Sequence, residues 1–142
     1  MIGPKVAKWL GRAAESTGRE IVMLRDGGVC VRCGRVDPVF GVNHDHRKNR
    51  SQGGDWAPSN GQLLCGSGTT GCHGYFTGRP KEALEEGYAV PSWSSPLEWP
   101  ARRWFKTDIG TRRLGWALLD DAGNVTEITD AEALERMKGA GW

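Results

Sequence analysis

The sequence predicts a small α+β protein clasped by a metal ion, and three observations lead there. Four cysteines fall in two pairs, Cys30 with Cys33 and Cys65 with Cys72, and all three histidines lie between Cys30 and His73. The 142-residue chain is 38% hydrophobic and holds 21 glycines, so turns should occupy much of it and its core should supply little surplus stability. Helix-like and strand-like stretches are both short and show no internal repeat. The N-terminus lacks a signal peptide's apolar run, and nothing reaches membrane-spanning length. A cytoplasmic protein with reduced cysteines, not disulfides, is therefore expected.

Three segments are expected in order: a helical segment over 1–26, a metal-stabilised core over 27–87, and an arm over 88–142. Thr17-Gly18-Arg19-Glu20 has the form of a capping box, which predicts a short helix stopped by Gly27-Gly28. Cys30-Val31-Arg32-Cys33-Gly34 reads as a tight knuckle. A strand over Val39 to Asp45, a polar loop through Ser51, Gly53, Gly54 and Pro58, and a strand over Gln62 to Cys65 follow. A helix entered near Thr70 would carry Cys72 and His73 in its first turn. Pro80 and Gly87 bracket another short helix.

From Tyr88 the proline, tryptophan and arginine content predicts an extended arm. A hairpin turning at Asp121-Ala122-Gly123-Asn124 comes next, then a two-turn helix opened by Thr129-Asp130-Ala131-Glu132 and stopped at Gly139. Charge is uneven. Residues 27–81 hold seven Lys/Arg against three Asp/Glu, whereas residues 114–142 hold two against six. The middle of the chain is the part suited to a polyanion, and the acidic tail suits a protein partner.

Two cysteine pairs on turns suit a closed tetrahedral Zn²⁺ site, which has no open position and would hold the fold without doing chemistry. Four reduced, buried thiols are the plainer alternative. If the cysteines close the two ends, the segment between them folds back and gathers His44, Asp45, His46, Asn60 and His73. A carboxylate and an imidazole can hold a hard divalent cation, leaving positions for water and phosphate. A second, neutral imidazole can take a proton from water. A carboxamide can orient that base or fix its loop. These are the parts for metal-assisted phosphodiester hydrolysis.

The order Cys-x2-Cys, Asp45-His46, Gly53-Gly54, Asn60-Gly61-Gln62-Leu63-Leu64-Cys65, Cys72-His73 resembles the zinc-ribbon branch of the HNH endonucleases over roughly residues 27–76. The resemblance implies a ββα-metal (His-Me finger) core around one catalytic divalent ion, Mg²⁺ or Mn²⁺. It implies Asp45 and His73 as ligands of that ion, His46 as general base and Asn60 as its supporting asparagine. It also implies a structural Zn²⁺ on the four cysteines. Small phage proteins of this type carry similar wording, and some assist DNA packaging, so a phage packaging (terminase) protein or a second copy of the chain is an expected partner beside DNA. Localisation would then be the bacterial host cytoplasm. On a strand, His44 and His46 share a face and Asp45 takes the other, which leaves His44 with His46 as the alternative ligand pair. The family's distance to Gly53-Gly54 selects Asp45 and His46, making His44 a residue behind the ligands, a phosphate contact or a plain surface residue. Gly61 stands where the family commonly has an apolar residue, a change expected to loosen the second strand.

Arg47, Lys48 and Arg50 follow the proposed base and are expected to contact phosphates. Arg102 and Arg103, beside Trp104 and Phe105, are expected to grip a nucleic acid strand, or else Trp93, Trp99, Trp104 and Trp116 form a small core on which the arm packs. The rival function is a non-catalytic DNA-binding or packaging accessory protein on the same scaffold.

Overall fold

The computed structural model describes residues 3–138. The chain begins with one long helix, α1 (Pro4–Asp26), and not with a short helix starting at Thr17. Pro4 stands at the first helical position, where its missing N–H costs nothing, and Gly27 ends the helix in the left-handed region at φ 67°. Gly18 is in the helix interior for another reason. A Cβ there would lie 2.1 Å from the carbonyl oxygen of Trp56, so glycine lets the following loop approach the helix.

The strands β1 (Val42–His46) and β2 (Gly61–Cys65) pair antiparallel, with Asp45 opposite Gln62 and His46 opposite Gly61. Helix α2 (Gly71–Thr77) follows, then α3 (Pro80–Glu86), whose stop at Gly87 lies at φ 86°. The extended arm expected from Tyr88 is a loop followed by β3 (Ala101–Lys106), which joins the expected hairpin in a three-stranded antiparallel sheet in the order β3, β4 (Arg112–Leu119), β5 (Val125–Ile128). The β4–β5 hairpin turns at Asp121–Asn124 as expected, and Thr129 caps α4 (Asp130–Met137) by accepting from Glu132 N. The expected stop at Gly139 lies outside the described residues. The protein is thus mixed α+β with two small sheets. Among the described residues no helix is long and apolar enough to cross a membrane.

The expected tryptophan core divides. Trp99 and Trp116 are buried with Val90, Ala133 and Met137, whereas Trp93 is 63% exposed. Trp104 anchors β3 to the cysteine knuckle, donating from Nε1 to Cys30 O (2.9 Å) and from its backbone N–H to Val31 O (3.0 Å).

Asp26 ties the N-terminal helix to both sheets. It accepts two hydrogen bonds from Arg25 (2.8 and 3.0 Å), one from Arg103 (2.9 Å) and one from Leu63 N (3.1 Å). Arg103 is therefore a fold-holding residue and not a DNA contact, because its guanidinium is committed to a carboxylate with no exposed side chain. Arg47 needs the same correction. It is 2% exposed and donates to the carbonyls of Ser59 (2.8 Å), Pro96 (3.1 Å) and Trp99 (2.9 Å). A buried guanidinium spread over three carbonyls cannot reach a phosphate. Lys48 is engaged too, donating from Nζ to Ser94 O (2.9 Å), and Arg102 lies 4.8 Å over the Trp116 ring. Of the five basic residues expected at DNA, Arg50 alone is exposed and has no such partner among the described residues. Replacing Arg47 by methionine should leave three inward-facing carbonyls without their donor and lower stability by about 3 kcal/mol, measured as the shift in urea midpoint.

Candidate metal centre and active site

The four cysteine sulfurs lie within 4.8 Å of one another, with Cys33 and Cys65 at 3.6 Å. Sulfurs bound about 2.3 Å from a shared ion at tetrahedral angles stand about 3.8 Å apart, so the cluster fits a metal ion. A disulfide, at about 2.05 Å, does not describe this separation. The long Cys65-x6-Cys72 gap closes because two glycines take positive φ: Gly66 at 91° and Gly71 at 63°. A Cβ on Gly66 would lie 2.1 Å from Thr70 O, and one on Gly71 would lie 2.5 Å from Cys65 O. The six intervening residues thus curl on themselves, with Ser67 bonding to Thr70 through N–H···O (3.1 Å) and through the hydroxyls (2.9 Å).

The surroundings favour bound thiolates. Cys72 N donates to Cys65 Sγ (3.4 Å), and Arg32 reaches Cys72 Sγ (3.6 Å) while lying over Tyr75 and Phe76. Crowding makes the thiols share protons: a hydrogen bond from Cys72 holds Cys30 down to about 4, and the same bond pushes Cys72 up. A cation bound by all four would remove that conflict by displacing the protons.

Asp45 and His73 are brought together from β1 and α2, with Asp45 Oδ1 3.6 Å from His73 Nε2. Two ligands about 2.1 Å from a shared ion stand roughly 3.0 to 4.2 Å apart for angles between 90° and 180°, so the pair fits a divalent cation. Each of the two side chains is oriented by a further bond. The Ser67 carbonyl accepts from His73 Nδ1 (2.9 Å), which leaves the Nε2 lone pair towards Asp45. Gln62 donates to Asp45 Oδ2 (2.9 Å) and to Tyr88 O (2.7 Å). Burial pushes the Asp45 carboxyl up, while Gln62 and His73 oppose that shift. Gln62 was not singled out from the sequence, where it reads as an ordinary strand residue. Its pairing opposite Asp45 follows only from the strand register.

His46 lines the same cavity as Asp45 and His73, a space of about 250 Å³. Its ring packs edge-on to Trp56 at 4.4 Å, beside His44 at 5.5 Å. Burial, aided by Arg50, pulls its pKa below the usual range, and Nε2 is buried with no hydrogen-bond partner among the described residues. The imidazole is accordingly neutral at neutral pH. Asn60 is 1% exposed and fixes the loop behind it, accepting from Lys48 N (2.8 Å) and donating to Lys48 O and Asp55 O (both 3.0 Å). Its own carbonyl accepts from Arg47 N (2.7 Å), so Asn60 holds the backbone next to His46 and not the imidazole itself.

His44 departs from expectation. It lies 5.1 Å from Trp56, and a Cβ on Gly61 would meet its ring at 2.6 Å and Val22 at 2.7 Å. The ring fills the room that glycine leaves, on the strand face away from Asp45, and is neither a residue behind the Asp45 ligand nor a phosphate contact. Burial pulls its pKa to about 4. Gly61 therefore does not loosen β2, every residue of which is buried. Compared with known proteins, the chain matches no family model, no curated protein and no solved structure.

Proposed function

We propose that this protein is an HNH-type DNA endonuclease with a ββα-metal core, a structural zinc on Cys30, Cys33, Cys65 and Cys72, and a second divalent ion on Asp45 and His73. The observation that carries this reading is the meeting of Asp45 and His73 at 3.6 Å on a cavity that His46 also lines. A divalent ion there would supply Lewis-acid stabilisation of charge developing on the phosphate and on the leaving 3′ oxygen. The chain's residues have distinct parts. Asp45 and His73 offer two ligand atoms and leave the remaining positions to water and phosphate. Gln62 and the Ser67 carbonyl hold those ligands in orientation. His46, on the wall of that cavity, takes the proton of the attacking water, for which its neutral form is suited. Asn60 keeps the turn behind the base closed. Arg50 is the exposed cation beside it that can meet a backbone phosphate.

A non-catalytic DNA-binding or packaging protein is the second reading, favoured by the packing of the His46 ring against Trp56. Supercoiled plasmid separates the two. Cleavage that requires Mg²⁺ or Mn²⁺ and drops by about a hundredfold or more in His46→Ala, at unchanged metal content of the cysteine cluster, is the expected result. A wild type that binds DNA and leaves the plasmid intact with either metal would favour the second reading.

A further inference from the structure

Resting on the nuclease reading, the cavity on Asp45 and His73 has a further wall that the proposed chemistry does not use. Phe76 and Trp93 line it along with the polar side chains Asn49 and Gln52. Trp93 is 63% exposed, which places a large aromatic face where the cavity meets solvent. Exposed tryptophan on a mobile loop would mean little, but this loop is braced. Arg47 holds its far side through Pro96 O (3.1 Å) and Trp99 O (2.9 Å), and Lys48 holds Ser94 O (2.9 Å). Val90 N donates to Arg47 O (2.8 Å), and Ser94 N closes the turn onto Pro91 O (3.1 Å). The two basic residues that follow His46 thus fix the Trp93 loop against the strand that carries Asp45.

We propose that Trp93 is a stacking platform for an unpaired nucleobase, so that the site takes a single-stranded segment of DNA in preference to intact duplex. A space of about 250 Å³ is below the usual range of roughly 300–1,000 Å³ for ligand clefts, and suits one planar ring better than a base pair. An aromatic face accepts any base, and the amides of Asn49 and Gln52 offer donors and acceptors to a base edge. Because Arg47 and Lys48 hold the platform from behind, it is formed before DNA arrives, which lowers the ordering cost of binding.

The test is equilibrium binding of a fluorescein-labelled oligothymidylate and of a blunt duplex of equal length, with Ca²⁺ in place of the activating metal. Wild type should bind the single strand more tightly than the duplex. Trp93→Ala should weaken single-strand binding about fivefold to 150-fold, leave duplex binding and the melting temperature unchanged, and be largely rescued by Trp93→Phe. Wild type that prefers duplex or binds neither, or a Trp93→Ala variant that binds the single strand unchanged, would overturn the proposal. Loss of single-strand binding in Trp93→Ala with no cleavage by wild type would support the platform and sink the nuclease reading. Metal-dependent plasmid cleavage with single-strand binding unmoved by Trp93→Ala would do the opposite.

Discussion

Replacing Cys65 by serine is expected to abolish cooperative folding of the protein. Cys65 lies 3.6 Å from Cys33, and its sulfur also accepts from Cys72 N, so its loss opens both halves of the cluster. A structural zinc contributes about 10–16 kcal/mol in small metal-stabilised folds, as much as the whole stability of a typical domain, about 5–15 kcal/mol. The buried apolar residues that share a core with the cysteines are Val31, Leu64, Phe76, Ala83 and Tyr88, too few to compensate for that loss. Trp104 and Arg112 bond to the carbonyls of Cys30 and Cys33, so unfolding of the knuckle should spread to the second sheet. Circular dichroism with a chelator titration checks this directly. Wild type should lose its thermal transition as metal is withdrawn and regain it on adding Zn²⁺. A metal-free protein that melts as before would reduce the cluster to four buried thiols.

Asp45→Asn is expected to leave the fold intact and to reduce metal-dependent cleavage by about a hundredfold or more. The asparagine keeps the shape of the side chain and an oxygen for the Gln62 bond, while the charge that attracts a hard cation is gone. His73→Ala should act alike on cleavage, because it removes the nitrogen that lies 3.6 Å from Asp45 Oδ1. Manganese binding followed by electron paramagnetic resonance distinguishes loss of the ion from loss of the base. Both variants should bind Mn²⁺ more weakly than wild type, whereas His46→Ala should bind it equally. Unaltered Mn²⁺ binding in Asp45→Asn would remove this pair as the metal centre.

Much of this was legible from residue types alone. Cysteine pairing along the chain announced a cluster of four thiols able to hold a metal ion, and their sulfurs do gather. The pairing of Asp45 with His73 was implied by the resemblance to the HNH endonucleases, because residue order by itself left His44 with His46 as the alternative. Proline and glycine marked the ends of α3, and Thr129 marked the start of α4, since each acts on its own backbone. The same local reasoning failed at Thr17-Gly18, where a capping pattern lies inside a longer helix. What decided that case was the close approach of Trp56, a contact distant in sequence.

Residue types and their order thus carry the inventory of chemistry and the local breaks: which groups are present, in what sequence, and where the backbone must turn. Which charges hold the fold emerges only from burial in three dimensions. Arg47, Arg103 and Arg50 look alike in a sequence, and a basic run reads as a phosphate contact. Burial separates them, because a guanidinium removed from water must find carbonyls or a carboxylate, as Arg47 and Arg103 do, while an exposed one remains available. The same physics moved His44 out of the site and into the room left by Gly61. It also joined Gln62 to Asp45, a partnership set by strand register and by nothing in the residues taken singly.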